Sequence, residues 1–142
     1  MIIRKMNMDD LPQLAALYRQ FWNEPSDVAK MRAQFEKINH QNTHILLSAL
    51  ADHRLVGSVM GVVCEELYGD CRPFLVVENM VVDQAMRRRG VGAQLLGELE
   101  KQARVRMCTQ MILVTETDRS DACRFYETYG FSRDIKGYKK KL

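Results

Sequence analysis

The sequence contains no apolar run long enough to span a bilayer, and its opening, Met1-Ile2-Ile3-Arg4-Lys5, has no stretch of signal-peptide length. These absences set the expectation of a cytoplasmic protein without a membrane partner. The four cysteines, Cys64, Cys71, Cys108 and Cys123, form no C-x-x-C pair, and the three histidines, His40, His44 and His53, lack the spacing of a metal shell. Neither a metal site nor a disulfide framework is expected, and the cysteines read as small buried hydrophobes. A nucleophilic Cys64 or Cys71 has no histidine near it in sequence, although such partners need only meet in space. The excess of one charge over the other is small too. A net charge of +3 does not demand nucleic acid, and Lys139-Lys140-Lys141 reads as a solvated face. Repeats, low-complexity stretches and linkers are absent. What remains, 142 residues with 46% hydrophobic and 27% charged, suits one domain over 1–142 with a sizeable core.

Periodicity supplies the elements. Ile2 to Lys5 reads as a strand; Asn7 and Asp10 have the spacing of a capping pair, and Leu11, Leu14, Leu17, Tyr18 and Phe21 recur at helical intervals up to about Trp22. Pro25 interrupts, and a second helix is expected from Asp27 to Ile38. Thr43–Ala51 and Leu55–Glu66 read as a hairpin turning at Asp52-His53. Phe74–Val82 is the next strand, Val91–Met107 a helix, Met111–Thr115 a strand and Ser120–Tyr129 a helix, with two short strands near Phe131 and Tyr138. The order βααβββαβαββ predicts an α/β fold, a mixed sheet with helices on both faces.

The most informative segment runs from Val76 through Arg87-Arg88-Arg89-Gly90-Val91-Gly92-Ala93. An apolar strand leads through a basic turn into an amphipathic helix. A helix start leaves its first N–H groups unpaired and carries partial positive charge, so an anion is stabilised there by both. Glycine lets the turn take unusual dihedrals and lets ligand oxygens approach the backbone. The pattern suits a diphosphate. It is neither a P-loop nor a dinucleotide fingerprint, because no Lys-Ser/Thr follows and the third glycine is missing.

Glu78 interrupts the Phe74–Val82 run. A carboxylate in a strand that looks buried on both faces needs a salt bridge, a water-filled opening, or a use. The use would be as a general base, with its pKa raised by partial burial.

Arg87-x-x-Gly90-x-Gly92 is similar to the Arg/Gln-x-x-Gly-x-Gly/Ala signature of the GCN5-related N-acetyltransferases (the GNAT superfamily), and Ala122-x-x-Phe125-Tyr126-x-x-x-Gly130-Phe131 resembles the second motif of that family. The resemblance implies a GNAT-like, largely antiparallel mixed sheet and transfer of an acetyl group from acetyl-CoA to a primary amine of a small molecule or peptide. It implies that Met80, Val81 and Val82 pair with the pantetheine arm, that Arg87 to Ala93 surround the pyrophosphate, that Glu78 serves as base and that Tyr126 protonates the departing thiolate. Tyr126 could equally be a core aromatic. The asparagine that many members carry three residues before the alanine is Arg119 here. The acceptor wall implied by the family falls on Tyr18, Trp22, Glu65, Glu66, Tyr68 and Asp70, acidic and aromatic groups that suit a cationic amine. A homodimer formed through the terminal strands is also implied, since an uncovered edge invites pairing. Two rival readings stay open: a non-catalytic acetyl-CoA sensor, and an arginine turn that contacts nucleic acid phosphates.

Overall fold

A computed structural model describes residues 1–142, which pack as two compact units, Met1–Ile112 and Leu113–Leu142. In the first unit five strands stand in sequence order: β1 (Ile2–Lys5), β2 (His44–Ala51), β3 (Arg54–Cys64), β4 (Phe74–Val82) and β5 (Met111–Ile112). The first four pair antiparallel and β5 joins β4 in parallel. Helices α1 (Leu11–Trp22) and α2 (Val28–His40) follow β1, and α3 (Val91–Val105) follows β4.

The two faces of the sheet carry different helices. On one face Leu11, Leu14 and Leu17 of α1 and Phe35 of α2 close a core with Met6, Leu55 and Val81. On the other, α3 comes so close to β3 that glycine is required: a Cβ on Gly61 would lie 2.7 Å from Leu99 Cδ1 and 3.1 Å from Leu75 Cδ1. Leu75, Leu95, Leu96 and Leu99 are fully buried. In the 3-10 turn Met8–Asp10 that leads into α1 the expected capping pair forms. The Asn7 side chain accepts from the Asp10 amide, and the Asp10 carboxylate accepts from the Asn7 amide. Asp10 also takes both ends of the Arg4 guanidinium at 2.7 Å and the Ser48 hydroxyl at 2.8 Å. Burial alone would raise this carboxyl, but Arg4, the Asn7 amide and Ser48 outweigh it and hold it below the usual range.

Strand β4 has one residue too many for its partner. Glu78 faces Met60 and Val81 faces Ser58, so two residues of β4, Asn79 and Met80, oppose Val59 alone. Asn79 takes the left-handed conformation, φ 50°, which asparagine tolerates better than most residues. Because of this bulge Glu78 and Val81, three residues apart, share the α1 face.

The second unit has one helix, α4 (Ser120–Tyr129), with the expected bounds. It stops at Gly130, φ 118°, whose N–H returns to the Tyr126 and Glu127 carbonyls. Beyond it the expected strands near Phe131 and Tyr138 are absent, and residues 131–142 form neither helix nor strand. The observed order is therefore βααβββαβα. A two-stranded ribbon is marginal without a third strand or a covered apolar face, and Ile135 and Tyr138 are 78% and 85% exposed. The dimer expectation loses the edge on which it rested. The expected Met111–Thr115 strand ends at Ile112, since β5 pairs only with Leu75 and Val76 before β4 bends at its bulge.

Candidate active site

Beyond Val82 the chain makes a short turn, Gln84–Met86, capped by Asp83, whose carboxylate accepts from the Ala85 amide at 2.9 Å. Arg87 is extended, Arg88 is left-handed at φ 60°, and Gly90 at φ 80° opens α3. No side chain caps α3. Its first intrahelical bond runs from the Gln94 amide to the Gly90 carbonyl at 3.0 Å, so the amides of Val91, Gly92 and Ala93 lie ahead of it as donors. Val91 is buried and Gly92 half-buried, while Arg88, Arg89, Gly90 and Ala93 are exposed. Uncapped amides, the positive end of a 15-residue helix and two exposed guanidinium groups together form an anion cradle. Arg87 is drawn elsewhere: its Nε donates to the Val82 carbonyl at 3.4 Å, and its Cζ stands 5.8 Å from the centroid of Phe21.

The strand leading into this cradle has a neighbouring strand along only part of one side. β5 accompanies β4 only at Leu75 and Val76, so the ladder on that side stops before Glu78, and Val81 and Val82 pair with β3 alone among the strands. An extended ligand can add there as a strand would. Glu78 lies on the α1 face and is exposed rather than half-buried, so the interruption in the apolar run marks a part of the strand open to water. The claim of Glu78 to act as a base rests on position.

Of the expected acceptor wall, Tyr18 and Trp22 come together on α1, their rings 5.1 Å apart and edge-on. Tyr18 packs against the core cluster, and burial pushes its phenol up to about 12, so it stays neutral. Trp22 is 47% exposed. Glu65, Glu66, Tyr68 and Asp70 lie in the segment after Cys64, which pairs with Phe74 at the end of the ladder away from Val82. Glu65 there acts on Cys108, whose thiol is raised chiefly by burial and then by that carboxylate against Arg106 and Arg72. The last turn of α1, by contrast, touches the Val82 end through Phe21 and through Gln20, which accepts from the Gln84 amide at 3.2 Å. Tyr18 and Trp22 thus form one group, and Glu65 and Tyr68 another.

In the second unit Tyr126 is half-buried between aromatic neighbours, edge-on to Phe125 at 5.2 Å and to Phe131 at 5.8 Å. Burial raises its phenol, Arg119 pulls it back in part, and Cys123 adds to the rise. The group is a neutral hydroxyl at physiological pH and able to donate.

Sequence reasoning missed two features. The bulge at Asn79 had a signal, an asparagine inside a β-branched run. The capture of Arg87 by Phe21 had none, because the partners lie 66 positions apart. No group of three His, Cys, Asp or Glu side chains gathers as metal ligands.

Comparison with known proteins gives a consistent result. The acetyltransferase (GNAT) family matches residues 11–131. An L-methionine sulfoximine/L-methionine sulfone acetyltransferase of Pseudomonas aeruginosa is 30% identical over an alignment of 142 residues, covering 91% of this chain and 78% of that protein. An aminoglycoside N(6')-acetyltransferase type 1 of Salmonella typhimurium is 25% identical over 92% of this chain and 91% of its own. Among solved structures, a putative acetyltransferase from Agrobacterium tumefaciens superposes with a TM-score of 0.92 at 24% identity over 100% of both chains, a likeness of fold. A protein described as a transcriptional regulator from Bacillus halodurans gives 0.90 at 26% identity over 99% of both.

Proposed function

Because the chain belongs to the acetyltransferase (GNAT) family and transfers an acetyl group to an amine, we propose that its donor is acetyl-CoA and that a primary amine attacks the thioester directly. The observation that carries this reading is the uncapped start of α3 next to a strand whose ladder is interrupted. One feature suits a pyrophosphate and the other an extended pantetheine arm. The backbone amides from Gly90 to Ala93, with Arg88 and Arg89, hold the pyrophosphate. Backbone groups of Met80, Val81 and Val82 bond the arm, and an amide there polarises the thioester carbonyl.

The chemistry then needs little else. The amine lone pair attacks the carbonyl carbon, the carbon–sulfur bond breaks as the tetrahedral intermediate collapses, and CoA leaves as the thiolate. Glu78 takes the ammonium proton through water, and Tyr126 of the second unit gives its proton to the thiolate. Holding the two reactants together supplies much of the rate. The family match crosses from the first unit into the second, which supports reading 1–142 as one acetyltransferase domain. We place the enzyme in the cytoplasm as a homodimer, on the family resemblance, and light scattering against the 16.5 kDa chain mass checks the dimer.

For the acceptor we propose a small-molecule amine recognised by Tyr18, Trp22 and Glu78, supported by the acceptors named for the two relatives. Release of free thiol from acetyl-CoA over a panel headed by L-methionine sulfone, L-methionine sulfoximine and an aminoglycoside tests it. Turnover with a panel amine supports the enzyme. A thermal shift with acetyl-CoA but no turnover across a broad amine panel would favour the sensor. A bulky residue at Gly92 should abolish the thermal shift in a folded protein.

A further inference from the structure

The arginine triplet invites one reading for all three side chains, and Arg87 departs from it. All three are exposed on the turn, and Arg87 alone also bonds the Val82 carbonyl at 3.4 Å and lays its guanidinium over the Phe21 ring, Cζ 5.8 Å from the centroid. In the preceding residue of the same helix, Gln20 accepts from the Gln84 amide at 3.2 Å. The turn between β4 and the cradle is therefore fastened at both ends, Gln84 and Arg87, to consecutive residues of α1. The next residue of α1 is Trp22, the single tryptophan of the chain, its ring 5.0 Å from Phe21.

We propose that Arg87 is a positioning residue: with Gln20 it couples the cofactor turn to the end of α1, so that filling the pyrophosphate cradle sets the position of Trp22 on the acceptor side. The inference rests on the acetyl-CoA reading above. An anion on the amides from Gly90 to Ala93 fixes a turn that already includes two left-handed residues, Arg88 and Gly90. The guanidinium fork is stiff, and its contacts to a carbonyl and a ring face hold direction as well as distance. The consequence is positive coupling: each ligand raises the affinity for the other by the same factor, through the tie between the turn and α1.

Trp22 makes the proposal measurable without knowing the acceptor. The full chain is titrated with CoA while tryptophan emission is recorded, and the same titration is followed by calorimetry at two salt concentrations. CoA should change the emission of the wild-type protein. In Arg87→Met the emission change should fall by about fivefold or more, while CoA affinity stays within about threefold and keeps its salt dependence. Arg87→Lys, which keeps a cation over the ring but not the fork, should respond between the two. Phe21→Leu should reproduce the loss, and the double variant should lose nothing further, as expected for groups that act as one tie. An Arg87→Met protein that loses CoA affinity together with its salt dependence makes Arg87 a phosphate ligand and overturns the proposal. An emission change that persists in both Arg87→Met and Phe21→Leu also overturns it. Should the wild-type chain bind CoA with no change in emission, the acetyl-CoA reading stands and the coupling alone falls. Should it bind no CoA, the reading falls and takes the coupling with it.

Discussion

Beneath α3 the sheet is leucine against glycine: Leu95 and Leu99 press on Gly57 and Gly61 with no room for a methyl group, and polar side chains are kept out. Beneath α1 the sheet buries Asp10, Ser48 and Ser58, places a half-buried phenol at Tyr18, and opens to water at Glu78. The first face is close-packed on both sides of the contact, so it holds the sheet and the start of α3 in a fixed relation. The second face is where polar groups are either fully satisfied or reachable. Packing under α3 fixes the frame and the proposed chemistry lies under α1, so substitutions at Leu99 and at Glu78 should separate accordingly.

The largest effect is expected under α3. Leu99→Ala removes a fully buried side chain from the closest contact in the unit and should cost about 3 kcal/mol in urea unfolding. Its activity per folded molecule should stay within about twofold, because the cavity lies away from the α1 face. Loss of activity beyond the loss of folded protein would break the comparison.

Under α1 the balance reverses. Glu78→Gln should lower kcat about a hundredfold while unfolding changes by less than about 0.5 kcal/mol. A wild-type rate with a working amine would return Glu78 to a solvated surface role. Tyr126→Phe, in the other unit, should slow thiolate departure and leave CoA affinity unchanged.

Asp10→Ala strips the acceptor from Arg4, Ser48 and the Asn7 amide and should cost about 2 kcal/mol at neutral pH, Arg4 being partly open to solvent. The Asp10 carboxyl lies below its ordinary value in the folded chain, so its contribution is present above about pH 4 and fades as pH falls through the folded value. Thermal melts from pH 7 to 3 should show an acid limb in the wild type that is smaller in the variant. The smallest effect is expected at the cradle. Gly90→Ala forces a side chain into φ 80° at about 1 kcal/mol, with weaker acetyl-CoA binding as the more visible result.

Much of this was legible in the chain. The bounds of β4 and α4 follow from a β-branched run and from an amphipathic segment stopped by Gly130, both local signals. The cradle was legible for the same reason, since Gly90 and the helix start adjoin in sequence. The terminal strands misled because Phe131, Ile135 and Tyr138 have apolar spacing, and spacing cannot say whether an edge is available to pair with. Glu78 had two readings from its apolar neighbours, a half-buried base or a strand whose middle opens to water. The structure exposes it, since burial on both faces holds only where strands and helices cover the whole length. The fate of Arg87 was decided by a ring far away in sequence, and no local pattern carries that information.

The left-handed Asn79 works as a phase shift. A strand is a wave of period two, and one inserted residue lets positions on either side of it report to the same half-space while the backbone carries on. What puts Glu78 and Val81 on one side of the sheet is a count rather than a side chain. Gaining or losing a single residue at this point changes which positions beyond the bulge share a face with Glu78, while Leu75 and Val77 before it keep theirs. An engineer wishing to change which residue shares a face with Glu78 would edit length before identity.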